Sequence, residues 1–491
     1  MLLSLYTNRR KIQLFFSMHC FICNFADAMR LTRKSESMLE LIRSGKPMTT
    51  SDKLNLIVLL SIPSILAQIT SVVMFFIDQA MVGHLGTNAS AAVGLVETTT
   101  WLYGSMTGAA SMGFSVQVAH FIGANDFLKA RQVFRHGLMA TMVLTLILTL
   151  SAVCIAQPLP YWLGGKADIA GDASAYFLIF SLAGPFFQLA GICAAMLKCS
   201  GNMVIPSVVS ILECVLDVVF NYFFIYQLHL GVKGAAMGTA LSILIGAGIL
   251  VWFAVFRSDI LSLRRKDERF RLEWSYLRNA LKIGTPMAAQ SVLMSGAQIV
   301  STLIVAPLGN VAIAANTLAI TAESLCYMPG YGIGEAATTL VGQSIGAGRT
   351  SLCRSFAWMT VGSGMLIMAL MGAVMLWLAP EMMGLMTPVD EVRMLGAQCL
   401  RIEAFAEPMF AASIVAFSVC VGAGDTFKPA MMNLACIWFV RLSLAYWLAA
   451  DYGLRGVWIA MAIELCLRGL LLLGRLWRGH WMTTLTQQSA Q

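Results

Sequence analysis

From Leu54 onward the chain is a succession of long apolar runs separated by short polar breaks. Gly234 to Phe256 is 23 residues without a charge, and Ile283 to Ala322 is 40, interrupted by the turn signal Pro307-Leu308-Gly309-Asn310. A helix crossing a bilayer takes about 20 apolar residues. On that measure the pattern predicts twelve spans, near 54–80, 90–120, 136–158, 171–197, 204–227, 231–256, 276–306, 313–343, 355–379, 395–421, 427–449 and 453–474. Barrel strands alternate in polarity and run only about 9–11 residues, so sheet is excluded. The expected fold class is an all-α integral membrane protein.

Composition agrees with the pattern. Of 491 residues, 58% are hydrophobic and 12% charged, with a mean hydropathy of +0.75. A soluble domain carries roughly 25% charged residues, so half the usual charge cannot cover a water-soluble body of this size. Soluble enzymes, disordered chains and fibrous proteins are excluded.

The formal charge of +8 invites a nucleic-acid reading, but its distribution argues otherwise. The N-terminus, the loops leading from even to odd spans and the C-terminal tail hold 26 Lys or Arg, whereas the opposite loops hold four. That asymmetry places both termini in the cytoplasm of a plasma (inner) membrane protein. Residues 1–52 read as a basic cytoplasmic extension, in which Met1, Met38 and Met48 are each a candidate start. Its Cys20-x-x-Cys23 lacks a second pair or a His partner, so no metal or redox role is expected there.

A shift of 223 residues brings the two halves into register. Pro63 falls on Pro286, Leu85-Gly86 on Leu308-Gly309, Ile122-Gly123-Ala124 on Ile345-Gly346-Ala347, and Pro185, Gly201 and Pro206 on Pro408, Gly424 and Pro429. Proline is costly within helices, so coincident prolines in one gapless register mark a true internal repeat. Six spans per copy make the repeats parallel. The expected plan is two six-helix lobes, 53–256 and 283–476, facing a central cavity, with a basic linker at 257–282 and a tail at 477–491.

At Pro63 through Gly86, ending Asp78-Gln-Ala-Met-Val-Gly-His-Leu-Gly86, the chain resembles the first helix of the multidrug and toxic compound extrusion (MATE) transporters. Glu323-Ser-Leu-Cys-Tyr-Met-Pro-Gly-Tyr-Gly-Ile-Gly334, Ala336 through Gly348, and Gly422-Ala-Gly-Asp-Thr426 with Pro429 are similar to the same family. The resemblance implies cation-coupled export of amphipathic, often cationic, small molecules through a V-shaped pair of lobes.

Ionisable groups in a bilayer are costly and survive where they face a cavity, a partner or an ion. Glu213, Asp217 and Asn221 sit four apart on the fifth span, hence on one helical face. Two anions there repel, so one holds a proton or both share a cation. The family's first-lobe cation site resembles Asp78 with Glu213 and Asp217, and Thr239 is aligned as a further oxygen. Under the repeat, Asp78, Glu213 and Asp217 fall on Ser301, Cys436 and Val440, so packing alone does not demand the acids. Gln290 to Gln298 lacks the acid that some family members carry on span seven, which argues against a second-lobe site of that type.

Among the other membrane charges, Glu464 and Arg468 are spaced for an ion pair within one helix. Arg441 is expected to pair with Glu403 or Glu407, and Glu97, Glu323 and Glu335 are candidates for the substrate cavity. The expected partners are a small-molecule substrate and the lipid bilayer. No nucleic acid, ATPase subunit or cofactor beyond a coupling H+ or Na+ is implied, and the chain is expected to act as a monomer. No metal-spaced His pair, GxSxG or GxxxxGK[ST] motif lies in the spans, which speaks against an enzyme and against ATP as the energy source. The competing reading is a flippase for a lipid-linked oligosaccharide, a related fold that would show a cationic cavity.

Overall fold

The computed structural model describes residues 31–264 and 270–482; Cys20, Cys23 and the rest of the first thirty positions lie outside them. Among the described residues, twelve long helical rods stand beside a helix over 31–43 and the short helix Leu159–Trp162. In the first half these are α1 (Thr50–Gly83), α2 (Thr87–Gly123), α3 (Phe127–Ile155), α4 (Ala167–Leu182 with Gly184–Ser200), α5 (Val204–Gln227) and α6 (Gly231–Arg257). In the second half they are α7 (Trp274–Leu308), α8 (Asn310–Gly346), α9 (Thr350–Met386), α10 (Asp390–Ala404 with Glu407–Gly422), α11 (Phe427–Tyr452) and α12 (Leu454–Arg478).

Nine rods are long and apolar enough to cross a membrane singly, and the bent α4 and α10 bring the number to eleven. The rod that misses the measure is α2, whose sequence is rich in Gly, Ser, Thr and Ala. Small residues lower its hydropathy and at the same time let neighbouring backbones approach. It is accordingly a central packing element, in contact with α3, α4, α7 and α8.

Equivalent positions of the repeat take equivalent backbone. Pro185 and Pro408 open the second segments of α4 and α10, where the chain bends by 45° and 59°. Proline removes a helix hydrogen bond and crowds the preceding turn, so both bends have the same cause. Gly86 (φ 113°, ψ 174°) and Gly309 (φ 96°, ψ 169°) make the same turn before α2 and α8. That φ suits only a residue without Cβ.

The halves meet through α1, α2, α7 and α8. Where α2 and α8 cross, a Cβ on Gly123 would overlap the Gln343 backbone, and one on Gly346 would overlap the His120 backbone. Positions 120 and 343 are themselves equivalent in the repeat, so the crossing is reciprocal about a pseudo-two-fold axis. Gly113 and Gly284 bring α2 equally close to α7, and Gly332 brings α8 onto Ile65 of α1.

Polar groups reinforce this seam. His120 Nε2 donates to the Gly422 carbonyl at 2.8 Å, and Gln343 Nε2 donates to the Cys199 carbonyl at 2.8 Å. Lys198 Nζ of α4 lies 2.7 Å from Glu335 Oε1 of α8, which also accepts from Gln68 Nε2 of α1 at 3.1 Å. These contacts cluster toward the end carrying the basic loops. Toward the opposite end the halves separate around a cavity.

Residues 31–43, within the expected basic extension, form a helix laid over the closed end. Leu39 and Ile42 are wholly buried in a core shared with Leu56, Leu60 and Met203 of the first half and Leu340, Leu352 and Phe356 of the second. Arg349 Nη1 donates to the Leu41 carbonyl at 2.9 Å, and Asn125 Nδ2 donates to the Arg43 carbonyl at 3.3 Å. The segment thus bridges loops of both halves.

Two substitutions test this closure. Gly346→Ala, by forcing α2 and α8 apart, is expected to cost about 1–3 kcal/mol as an overpacking change, read as a lower melting temperature of the purified protein. Leu39→Ala is expected to cost about 2–5 kcal/mol as a core truncation in the same assay. An unchanged melting temperature in either variant would remove that contact from the closure.

Candidate functional site

The carboxylates of interest are placed by α1, α5 and α6. Along α6 the small residues Gly234, Gly238, Ser242 and Gly246 recur every fourth position and so share one face. That face receives α5: a Cβ on Gly234 would strike the Phe224 backbone, one on Gly238 the Asn221 side chain and one on Gly246 the Glu213 carboxyl. The stripe lets polar side chains of α5 lie against bare backbone inside the first half.

Asn221 is the hub. Its Nδ2 donates to Asp78 Oδ1 of α1 at 2.9 Å and to Asp217 Oδ2, one turn back on α5, at 2.9 Å. Asp217 is 0% exposed and Asn221 1%. Asp217 Oδ1 and Asn221 Oδ1 are buried without a hydrogen-bond partner. Thr239 and Ser242 of α6 neighbour Asp217. Two acids and an amide are therefore joined through one donor, with acceptor oxygens left over. Buried acceptor oxygens in excess of the donors around them suit a proton or a small cation.

Of the residues singled out from sequence, Asp78, Asp217 and Asn221 come together, with Thr239 beside Asp217. Glu213 does not join them. It packs one turn away against Gly246, with Oε1 buried and unpartnered.

Asp78 and Thr239 also line a cavity of about 890 Å³ between the halves. Its walls include Gln68, Phe75, Gln79, Glu97, Trp101, Tyr103, Tyr176, Phe180 and Phe187 from the first half. Ile320, Thr321, Ser324, Tyr327 and Met328 of α8 face them. Among the described residues the lining carries carboxylates and no Lys or Arg.

The three acids proposed for the cavity part company. Glu97 lines it. Glu335 sits in the seam, held by Lys198 and Gln68. Glu323 lies off to the side, in a chamber of about 170 Å³ with Arg441 and Arg468 that adjoins the main cavity at Ile320 and Tyr327.

One expectation fails here. Glu464 and Arg468 do pair, at 3.2 Å. Arg441, however, makes no ion pair with Glu403 or Glu407 among the described residues; its Nη2 lies 2.7 Å from Met461 Sδ. The reason is topological: α11, through the wide turn at Cys436–Arg441, packs on α12 and α7 rather than beside α10. Both carboxyl oxygens of Glu403 and of Glu407 are consequently buried without partners.

Sequence reasoning passed over Lys198, Gln79 and Ser242. Lys198 falls just beyond a span boundary, and polar uncharged side chains give no signal until the fold supplies their neighbours. The four-residue spacing of small residues on α6 was the legible clue to where α5 docks.

Comparison with known proteins places this architecture. The MatE family model matches twice, over residues 63–223 and 286–447, starting at the two prolines that the internal register superposes. The probable multidrug resistance protein NorM of Pseudomonas aeruginosa is 30% identical over 84% of this chain and 86% of its own length. The probable NorM of Thermotoga maritima is 25% identical over 86% and 92%. A solved multidrug resistance MATE family transporter of the MOP superfamily, described as outward-facing, superposes with a TM-score of 0.84 at 22% identity, covering 91% of this chain and 99% of that one. With twelve rods, two copies of one repeat and relatives matched across most of their length, the chain is a multi-pass membrane protein that belongs to the MatE family of multidrug efflux transporters.

Proposed function

We propose that the protein is a secondary active antiporter of the plasma (inner) membrane, with both termini cytoplasmic. In this reading it exports amphipathic, cationic small molecules in exchange for H+ or Na+ by alternating access. It acts as a monomer, without an ATPase subunit, catalytic chemistry or any cofactor beyond the coupling ion. The observation that carries the reading is the buried Asp78–Asn221–Asp217 set, with its unpartnered acceptor oxygens, at the wall of a cavity that bears acids and aromatic rings.

A coupling ion drives export only by binding the two states of the transporter unequally. Asp78 belongs to α1, which also packs across the seam on α8. Occupation of the seat thus acts on a helix that takes part in closure. In this reading the cavity between the halves, lined by α1, α2 and α8 among others, is the chamber that alternates between the two sides of the membrane. A flippase for a lipid-linked pyrophosphate would need cationic walls, and the described lining has none.

The test is transport of a cationic dye by purified protein in liposomes, with a pH gradient or a sodium gradient imposed alone. One of the two gradients is expected to drive uptake. Asp217→Asn and Asp78→Asn are each expected to abolish that dependence while the protein remains inserted and folded. Cys436→Ser, at the repeat equivalent of Glu213, is expected to retain it. Normal coupling in both aspartate variants would overturn the assignment.

A further inference from the structure

The helix over 31–43 has one buried stripe. Thr32, Ser35, Leu39 and Ile42 are 5% exposed or less, and their spacing of three, four and three residues puts them on one face. That face lies over the boundary between the halves, so the helix is held from both sides. At its C-terminal end the last carbonyls have no partner within the helix, and each half supplies one donor. Asn125 of the α2–α3 loop donates to the Arg43 carbonyl at 3.3 Å. Arg349 of the α8–α9 loop donates through Nη1 to the Leu41 carbonyl at 2.9 Å and to that of Ile42 at 3.4 Å, where a cation also complements the helix dipole. The 223-residue register makes these two loops equivalent.

The two grips are unequal. On the first-half side the chain turns at Gly45 (φ 75°) and runs directly into α1, whose start is capped by Thr49. Ser35 Oγ lies 3.2 Å from the Gly201 carbonyl oxygen of the α4–α5 loop. Leu39 occupies the space that a Cβ on Gly201 would need, and the Arg43 guanidinium stands over the Phe127 ring of α3 at 5.7 Å. On the second-half side the grip consists of the Arg349 hydrogen bonds and apolar contact with the core of Leu340, Leu352 and Phe356. Separation of the halves at this end leaves the covalent grip in place and strips the other.

We propose that residues 31–43 form a latch, hinged on the first half, which fastens the second half through Arg349 and an apolar face and lets go of it when the basic-loop end opens. The latch rests on the alternating-access part of the antiport reading for its use, but not for its contacts. Because it engages both halves in one state only, it favours that state by the whole free energy of its second-half grip. Release is then a step of the cycle, and the hold of Arg349 sets how readily the end opens.

The test tethers the latch to each half in turn, in the full-length protein, with a thiol cross-linker that a reductant cleaves. Leu41→Cys with Arg349→Cys ties it to the second half, and Arg43→Cys with Phe127→Cys ties it to the first. Each single variant, treated alike, is the control for the native cysteines. The second-half tether is expected to stop transport of a cationic dye into liposomes until reductant is added. The first-half tether is expected to leave the rate as it is before cross-linking. Transport under the second-half tether, or arrest under both, would overturn the proposal. Amide hydrogen exchange of residues 36–43 in purified protein needs no transport. A short helix draws its protection from what it packs on, so Arg349→Gln, which loses a charge-assisted hydrogen bond, is expected to speed that exchange about tenfold. Arg349→Lys keeps the charge and is expected to fall between. Exchange in Arg349→Gln as slow as in the parent would count against the latch equally. Dye transport that follows neither ion gradient in the parent defeats the antiport reading alone and leaves both comparisons in force.

Discussion

The reciprocal crossing of α2 and α8 is the contact on which the architecture depends. Two glycines, equivalent in the repeat, each face the backbone of the residue three positions before the other. Hydrophobic burial offers little preference between helix–helix and helix–lipid contact in a bilayer, so close approach of small residues and interhelical hydrogen bonds supply the association. Here both occur at one end of the molecule. The seam closes where His120, Gln343, Thr339 and the Lys198–Glu335 pair meet. It gapes where such residues give way to Phe75, Trp101, Tyr176 and Tyr327. The closed seam and the cavity thus divide the same helices between them, the seam where glycines face a neighbouring backbone and the cavity where aromatic rings line the gap.

Duplicated scaffold and unduplicated chemistry are distinct layers of this protein. Prolines and glycines recur in register because they set bends, turns and close approaches that both halves need. Asp78, Asp217 and Asn221 do not recur: their equivalents are Ser301, Val440 and Leu444. The second half has instead its own charges: Glu323, Arg441 and Arg468 line a different chamber, and Glu403, Glu407 and Glu464 are wholly buried. Buried charge is conserved in neither position nor sign between the repeats, so it answers to something other than packing.

The backbone plan was open to reading because its determinants are local and periodic. Apolar run length gave the rods, loop charge suggested their orientation, and Pro185 and Pro408 helped to mark the internal repeat. The Asp78–Asn221–Asp217 set was approachable for a related reason: two of its members are one helical turn apart on α5. Its completion by Asp78 depended on family resemblance, since nothing local says that α1 lies beside α5. Partner choice across helices was beyond the sequence. Arg441 has acids on the preceding helix within easy sequence reach, yet α12 is its neighbour. The packing of residues 31–43 was equally hidden. Their basic composition suggests a solvated tail, while Leu39 and Ile42, with Met38 beside them, supply only a short apolar face.

α1 joins these layers mechanically. Its C-terminal part carries Asp78 and Gln79, which address α5 and α2 of its own half. Its middle carries Ile65 and Gln68, which meet Gly332 and Glu335 of α8 across the seam. A perturbation at Asp78 has a short, contiguous path to the closed end, through fewer than four helical turns of one rod. The buried amide Asn221 is well suited to begin it. With one Nδ2 shared between two carboxyl groups, it can keep both bonds only while α1 and α5 hold their present spacing, and an ion bound to the unpartnered oxygens would alter the balance of charge on which those bonds rest. In the proposed exchange the ion need not reach the seam, because the helix that binds it is already part of the seam.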